Sequence, residues 1–231
     1  MRTIGLIGGM SWESTAIYYR LLNEGVRDRL GGLHSASLVL RSFDFNGIAA
    51  LQAAGDWDGA TDAMVGAARA VERAGAECVV ICTNTMHRMA DEVAAAVDVP
   101  LLHIADAAGA ALAADGARRP LLLATRHTME GTFYADRLRD RFGLDVRVPG
   151  EADRALVHDV IYDELCRGVV RDASRDAYLD VIARSDCDAV IFGCTEVGML
   201  LAPGDLDRPA FDTTALHAEA AVDFALGRAE A

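Results

Sequence analysis

The sequence predicts an α/β fold in which parallel strands are covered by helices, and three observations lead to this prediction. The chain has 231 residues, of which 52% are hydrophobic and 25% charged, so it can bury a full core. Short β-rich runs alternate with longer helical stretches, which is typical of parallel sheets. A strand-and-turn segment in the first half is echoed in the second, which favours two lobes of about 100 residues each.

Short aliphatic runs predict the strands, because such residues pack well inside a sheet. In chain order they are Thr3 to Ile7, Ala36 to Leu40, Cys78 to Cys82, Pro120 to Ala124, Asp145 to Val148 and Ala189 to Phe192. Between these runs, apolar residues recur near every 3.6 residues, which predicts helices. The clearest are Ser14 to Leu30, Trp57 to Ala74, Thr132 to Phe142 and Arg154 to Cys166.

The predicted elements divide into two pseudo-symmetric lobes near His103 to Asp106. We expect residues 1–103 to form the first α/β lobe and residues 104–211 to form the second. A last helix is predicted at His217 to Leu226. The C-terminal segment 212–231 is therefore expected to return and complete the first lobe.

Composition excludes several classes of protein. The formal net charge is −13, so we expect no nucleic-acid partner. The basic residues are all arginine, and without lysine neither a pyridoxal phosphate Schiff base nor a Walker phosphate loop can form. No apolar run approaches the roughly 20 residues of a membrane span, and the first residues lack the apolar core of a signal peptide. We therefore expect a cytoplasmic protein without a membrane partner.

Neither a metal nor a dinucleotide cofactor is expected. The five cysteines include no CxxC pair, which predicts reduced thiols, and no histidine has a metal partner at HExxH spacing. The glycine pair Gly8-Gly9 follows a predicted strand, and Ser11 can cap the helix after it. The spacing is not GxGxxG, and no acidic residue stands about 20 positions further on, so the Rossmann fingerprint is absent.

Two polar turns, each directly after a buried strand, have similar sequences. The run from Cys78 to Thr85 resembles the run from Ala189 to Glu196. Strand ends that lead into helix N-termini are where parallel α/β sheets bind ligands, and the free N–H groups there suit a carboxylate. The sequence therefore predicts one active site, in a cleft between the two lobes.

The chain resembles the aspartate/glutamate racemase family, and especially its bacterial L-aspartate/glutamate-specific branch. The matching segments are Ile4 to Thr15, Gly31 to Ala36, Cys82 to His87, His103 to Asp106 and Gly193 to Glu196. The resemblance implies a cofactor-independent racemase that interconverts L- and D-aspartate or glutamate, with no metal and as a homodimer. It also implies two acid/base groups on opposite faces of the α-carbon, which racemisation without an electron sink requires.

By motif position these groups are Thr83 and Cys194. Most of the family has a cysteine in both turns, and Thr83 replaces the first, as is usual in the L-specific branch. The similarity between the two turns within the chain pairs Cys82 with Cys194 instead, so Cys82 remains an alternative to Thr83. Because successive strand residues face opposite sides, Cys82 and Thr83 should not both reach the site.

The resemblance also implies which residues contact the substrate. The expected substrate is an amino acid that bears carboxylates. The contacting residues are Met10, Gln52, Asn84, Thr85, Thr125, Thr128 and Thr195, although Thr125 and Thr128 could equally form an ordinary helix cap. Some family members use a lysine near residue 166, where this chain offers Arg167 or Arg171. His87 and His103 are both expected to have structural or surface roles, and His87 is the alternative candidate for tuning Thr83 or Cys194.

Two other classes of function fit the same residues. A maleate isomerase, arylmalonate decarboxylase or hydantoin racemase would keep a cysteine at the end of a strand and bind carboxylates. A non-catalytic amino-acid-binding protein could keep the two turns after losing one cysteine. The run Cys82 to His87 favours the amino-acid racemases.

Overall fold

A computed structural model describes residues 1–228, and within them the chain forms two compact units. The first unit contains Met1–His103 and the chain from His217 onwards, and the second contains Ile104–Leu216. The C-terminal segment predicted to return begins at residue 212, whereas this division keeps residues up to Leu216 with the second unit. Residues 229–231 of that prediction lie outside the described residues.

The strands belong to two parallel sheets, one in each unit. The four-stranded sheet has the order β2-β1-β3-β4, and the three-stranded sheet has the order β5-β6-β7. Their bounds are β1 Ile4–Gly8, β2 Leu38–Ser42, β3 Cys78–Ile81, β4 Leu101–Leu102, β5 Pro120–Leu123, β6 Ala189–Phe192 and β7 Ala210–Asp212. The predicted α/β class with two parallel sheets flanked by helices is confirmed.

The helices connect successive strands. Those before the second sheet begins are α1 Trp12–Leu30, α2 Phe45–Ala54, α3 Trp57–Arg73, α4 Ala90–Ala95 and α5 Ile104–Asp115. The others are α6 Arg126–Met129, α7 Thr132–Phe142, α8 Glu151–Asp163, α9 Asp172–Arg184, α10 Val197–Leu200 and α11 Thr213–Ala225. Within residues 1–228, no helix is long and apolar enough to cross a membrane.

The first sheet is covered on both faces, which the alternation of its side chains explains. On β3, Val79 and Ile81 pack in one cluster with residues of α3. Cys78 and Val80, together with Cys82 just after the strand, pack in another with residues of α1 and α11. Successive strand residues point to opposite faces, so a strand buried on both sides is apolar throughout. The second sheet lies in one continuous cluster with residues of α5, α7, α8 and α9.

A histidine joins three elements of the first unit. His217 of α11 donates its Nε2–H to the carbonyl of Leu102 in β4, at 2.8 Å. Its Nδ1 lies 2.8 Å from the hydroxyl of Tyr18 in α1, and both side chains are buried. Because a carbonyl can only accept, the neutral ring carries its proton on Nε2 and takes the Tyr18 hydrogen on Nδ1.

The predicted strand at Asp145 to Val148 is wrong. Only Arg147 forms a bridge, to Leu121, with hydrogen bonds of 2.8 Å to the two flanking backbone groups. Pro149 has no N–H to continue the pairing, and helix α8 begins two residues later. Two real strands, β4 and β7, were not predicted, because each has at most three residues and shows no alternation.

Candidate active site

The carboxyl ends of β1 and β3 lie side by side in the first unit. Ile7 pairs with Ile81 in parallel register, and the Cys82 amide donates to the Ile7 carbonyl at 2.9 Å. The chain leaves the sheet at Thr83 and forms a 3-10 helix at Thr85–Met89. This edge is where parallel α/β sheets bind ligands.

Cys82 and Thr83 have different surroundings. Cys82 is fully buried in the core beside α1 and α11, and burial raises the pKa of its thiol well above the ordinary value. The side chain of Thr83 is only half-buried. Cys82 is therefore part of the core, whereas Thr83 keeps contact with solvent.

Two buried histidines adjoin the Thr83 turn. The Nδ1–H of His87 donates to the carbonyl of Thr83 at 2.8 Å, since that carbonyl can only accept. The ring of His87 lies 4.6 Å from that of His103, centroid to centroid. The imidazole of His87 thus fixes the backbone from which the Thr83 hydroxyl projects, which is a positioning role.

The glycine pair after β1 shapes the loop that carries Met10. Gly9 has a φ of 82°, and any Cβ there would collide with the backbone of Phe43. Its N–H donates to the hydroxyl of Thr15 at 2.8 Å, and this hydroxyl donates to the carbonyl of Ser11 at 2.9 Å. Thr15 therefore holds the turn closed, a function that its place in the sequence did not reveal.

The other predicted contacts of the first unit are mostly buried. Met10 packs in the core, and the Gln52 amide donates to the Met86 sulfur at 3.2 Å. Asn84 and Thr85, in the 3-10 turn, are also buried. Gln52 therefore contacts the residues that follow Thr83, although it is distant from them in sequence.

Arg88 fastens the same 3-10 helix to the start of α3. Its guanidinium carbon lies 4.4 Å from the centroid of the Trp57 ring. An arginine over the face of an indole is a favourable cation–π contact. The turn after Thr83 is thus held by two of its own side chains, His87 through the Thr83 carbonyl and Arg88 through Trp57.

In the second unit, Thr125 and Cys194 leave adjacent strands at the same level. Leu123 of β5 pairs with Phe192 of β6, and the Gly193 amide donates to the Leu123 carbonyl at 2.8 Å. Thr125 and Cys194 each stand two residues beyond this pair. Neighbouring strands lie about 4.8 Å apart, so both residues belong to one short stretch of the sheet edge.

A buried carboxylate bonds the Cys194 thiol. Cys194 Sγ donates to Glu196 Oε2 at 2.9 Å, and the Thr195 hydroxyl donates to the same oxygen at 2.8 Å. A second thiol, Cys166, lies 3.8 Å from Glu196 Oε1. The Glu196 side chain is 2% exposed. Glu196 was not among the predicted site residues, although it is the third residue of the Cys-Thr-Glu motif.

This environment holds Cys194 in its thiol form. Burial raises the pKa of the Cys194 thiol well above its usual value, and the charges of Glu196 and Cys166 raise it further. The side chain is still half-buried rather than sealed. A thiolate formed here would be a strong base, with Glu196 placed to receive the displaced proton.

The turn after β5 holds the two predicted threonines together. Thr125 Oγ1 and Thr128 Oγ1 lie 3.3 Å apart, and the Thr128 amide donates to the Thr125 carbonyl at 3.0 Å. Both side chains are buried. Thr195, on the neighbouring turn, is buried as well, so the second unit brings all three predicted threonines to the carboxyl ends of β5 and β6.

The two arginines offered in place of a family lysine are bound elsewhere. Arg167 pairs with Asp163 at 3.3 Å and Arg171 with Glu164 at 2.9 Å, and their side chains are 68% and 62% exposed. Among residues 1–228, no group of three or more His, Cys, Asp or Glu side chains is arranged to hold a metal ion.

Comparison with known proteins gives the family. The model of the Asp/Glu/hydantoin racemase family matches residues 7–221. The chain belongs to this family. The predicted amino-acid racemase of the aspartate/glutamate racemase family is thereby confirmed, while the substrate and the use of threonine for cysteine stay predictions.

Solved structures support the assignment. A candidate Asp/Glu racemase from Yersinia pestis is 49% identical, with a TM-score of 0.91 over 98% of this chain and all of its own. An aspartate racemase homologue from Pyrococcus horikoshii OT3 is 31% identical, with a TM-score of 0.85 over 98% of this chain and 100% of that one. The Picrophilus torridus aspartate racemase, 22% identical over 98% and 95% of the chains with a TM-score of 0.77, shares the fold.

Proposed function

We propose that this racemase interconverts the enantiomers of aspartate or glutamate by cofactor-independent two-base proton transfer, with Thr83 and Cys194 as the two bases. The observation that carries the proposal is the Cys194 thiol, which donates to a buried carboxylate at 2.9 Å. A thiol paired with a proton acceptor at the end of a parallel strand is equipped to become a base. The half-buried position of Thr83, against the core position of Cys82, supports Thr83 as its partner.

In one direction of the reaction, protons move between Cys194, Glu196, the substrate and Thr83. Cys194 passes its proton to Glu196, and the resulting thiolate takes the α-hydrogen, which leaves a carbanion and restores the thiol. The hydroxyl of Thr83 then gives its proton to the other face. Glu196 releases the proton it received, and through water a proton returns to the oxygen of Thr83, which restores both groups. The predicted threonines and Asn84 supply hydroxyl, amide and N–H groups for the α-carboxylate of the substrate.

The two bases differ in strength, which predicts unequal exchange. A threonine hydroxyl is a much weaker acid than a thiol, so transfer at Thr83 should be the slow step. Cys194 can remove an α-proton and return a solvent proton to the same face before Thr83 completes the inversion. The enantiomers have equal energy in water, so kcat/KM for the two directions must nevertheless be equal.

The test is proton NMR of L- and D-aspartate and L- and D-glutamate with the protein in deuterium oxide, with chiral chromatography of the same samples. We expect loss of the α-proton signal, faster than inversion for one enantiomer of each pair. Cys194→Ala should abolish exchange, and Thr83→Ala should block inversion but keep exchange at Cys194. The matched control Cys82→Ala should keep both.

Three results would contradict the proposal. Absence of exchange with all four amino acids would remove the amino-acid substrate. Loss of inversion with exchange retained in Cys82→Ala, with a normal fold, would move the role from Thr83 to Cys82. Equal exchange rates for the two enantiomers would remove the difference in strength between the bases.

We further propose that the enzyme is a cytoplasmic homodimer, with Trp12 and Tyr19 in its interface. These side chains are 68% and 57% exposed and lie seven residues apart on α1, hence on one face. Leu40, on the edge strand β2, is exposed as well. Exposed aromatic residues are enriched in interfaces. Light scattering should give twice the chain mass, and Tyr19→Glu should reduce it to one chain.

A further inference from the structure

An acidic amino acid brings a second carboxylate, which must find a cation in this enzyme. The chain carries a formal charge of −13, so its overall field opposes an acidic substrate. Its cationic side chains are arginines, because it has no lysine. The following inference rests on the proposed function and concerns which arginine selects the substrate.

Arginines of the second unit are mostly engaged with the protein's own carboxylates. Those with a carboxylate within ion-pair distance are Arg119, Arg137, Arg139, Arg141, Arg147, Arg154, Arg167, Arg171, Arg175, Arg184 and Arg208. Each of these would have to give up its pair to bind a substrate. Arg126 is exposed, and the ion pairs of the described residues do not include it.

Arg126 stands beside the catalytic edge of the second sheet. It follows Thr125, which leaves β5 at the level where Cys194 leaves β6. Arg118, which also makes no ion pair among the described residues, precedes β5 at the amino end of the strand. Of these two arginines, Arg126 is therefore the one on the side of the sheet where Cys194 lies.

A histidine fixes the backbone of Arg126. The Arg126 amide donates to His158 Nδ1 at 3.3 Å, so that nitrogen carries no proton. Burial, and then the charges of Arg126 and His127, lower the pKa of His158, which keeps the ring neutral near pH 7. A neutral neighbour leaves the guanidinium as the local cation.

Helix α8 connects this turn to Cys194. His158 and Tyr162 are four residues apart on α8, with ring centroids 4.6 Å apart. Burial raises the pKa of Tyr162 to about 12, with further contributions from Cys166, Cys194 and Glu196. One face of α8 thus extends from the turn of Arg126 to the surroundings of the catalytic thiol.

We propose that the guanidinium of Arg126 binds the side-chain carboxylate of the substrate and restricts this racemase to acidic amino acids. Its planar fork can hold a carboxylate through two parallel hydrogen bonds. Because this contact is made equally before and during proton transfer, its loss raises KM rather than lowering kcat.

The experiment compares Arg126→Gln with the wild type by α-proton exchange in deuterium oxide. Substrates are L-aspartate and L-glutamate, and their uncharged counterparts L-asparagine and L-glutamine. We expect kcat/KM for the acidic pair to fall on the order of 10- to 100-fold, mainly through KM, as for one charged hydrogen-bonding group. Exchange of the amides should not fall, and Arg126→Lys should recover part of the loss.

Controls separate this contact from general effects of charge and folding. Arg139→Gln removes an exposed arginine on α7 that pairs with Asp136 and Asp140, and it should leave all four substrates unchanged. Arg167→Gln tests the rival arginine and should also leave them unchanged. Circular dichroism of each variant should match that of the wild type.

The possible failures are distinguishable. If the wild type exchanges none of the amino acids, the proposed function is wrong and Arg126 loses its role with it. If the wild type exchanges acidic substrates and Arg126→Gln does so equally well, only the role of Arg126 is wrong. A selective loss in Arg167→Gln would assign the carboxylate to Arg167 instead.

Discussion

Burial and the charge of Glu196 together set the acid–base properties of Cys194. It accepts hydrogen bonds from Cys194 and Thr195, and its second oxygen lies near Cys166. A buried negative charge opposes ionisation of the thiol, and the same carboxylate is placed to receive the thiol proton. Reactivity toward an external reagent and catalysis should therefore respond to Glu196 in opposite directions.

Glu196→Gln tests this pair of effects. The neutral amide removes the charge that raises the pKa of Cys194, so the thiol should be alkylated by iodoacetamide at lower pH than in the wild type. The amide cannot receive a proton, so α-proton exchange should fall about 100-fold or more. Mass spectrometry of the Cys194 peptide across a pH series gives the first quantity, with the Cys187 peptide as internal reference. An unchanged alkylation profile would show that the charge of Glu196 does not raise the pKa of Cys194.

The placement of single residues was predictable where a motif carried them, whereas their roles in the reaction stay predictions. Cys194 and Thr83 stand in motifs after buried strands, and the structure places both at strand ends. Thr15 and Glu196 were missed, because their roles are hydrogen bonds to neighbours rather than a pattern of residue types. The role proposed for Arg126 was not predictable either, since only the ion pairs of the other arginines distinguish it.

At the scale of elements, the junction of α1, α11 and β4 depends on His217. Its two ring nitrogens bond Tyr18 and the Leu102 carbonyl, both buried in the first unit. Removing one partner leaves a buried polar group without its hydrogen bond, which costs about 1–3 kcal/mol. The junction is therefore sensitive to changes that hardly alter its volume.

We expect Tyr18→Phe to lower the free energy of unfolding by about 1–2 kcal/mol, and His217→Ala by about 2–4 kcal/mol, because the latter also opens a cavity. Urea unfolding followed by circular dichroism measures both. Tyr19→Phe is the matched control, since the Tyr19 side chain is exposed in the single chain and loss of its hydroxyl alone should change stability by less than about 0.5 kcal/mol. Equal stability of the Tyr18 and Tyr19 variants would mean that the hydrogen bond to His217 contributes nothing.

Elements were predictable when they were long or uniformly apolar. Helices α1, α3 and α7 differ from their predicted bounds by at most two residues, and β6 does not differ. Helix α8 begins at Glu151, three residues before its predicted start, and the chain after Asp163 tightens into a 3-10 turn at Leu165–Arg167. Helices α5 and α9 were not among the helices predicted from the spacing of apolar residues. Helix α5 is rich in alanine, and α9 carries charges through much of its length.

At the scale of the whole molecule, one thiol in β3 and one just after it make stability depend on alkaline pH. Burial raises the pKa of Cys78 to about 12 and that of Cys82 further. The folded protein keeps protons that the unfolded chain loses from about pH 9 upwards, so this contribution to stability is complete below pH 9 and declines as the pH rises. Each thiol should reduce the free energy of unfolding by about 1.4 kcal/mol per pH unit.

Urea unfolding between pH 8 and pH 10 measures this slope before most tyrosines ionise. Cys82→Ala should lose stability at pH 7 through its smaller volume, yet show a shallower decline with pH, since one titrating thiol is gone. Cys78→Ala should behave in the same way. Parallel pH dependences in wild type and variants would contradict the assignment.

The fold class of the whole molecule was predictable, because alternating strands and helices admit few arrangements. The order β2-β1-β3-β4 was not, since nothing in an apolar strand says which neighbour it pairs with. The presence of β7 in the second sheet was not predictable either, because this strand has only three residues and follows a proline. Such pairings depend on contacts between segments that are distant in the sequence.

The contact of Arg88 with Trp57 has an optical consequence. The two tryptophans of the chain, Trp12 and Trp57, both belong to the first unit. One follows the loop of Met10, and the other lies under the guanidinium that holds the Thr83 turn. Tryptophan fluorescence therefore comes from the first unit alone, and the second unit contributes no tryptophan emission. A titration with amino acid that shifts this emission would report on the Thr83 side without any label.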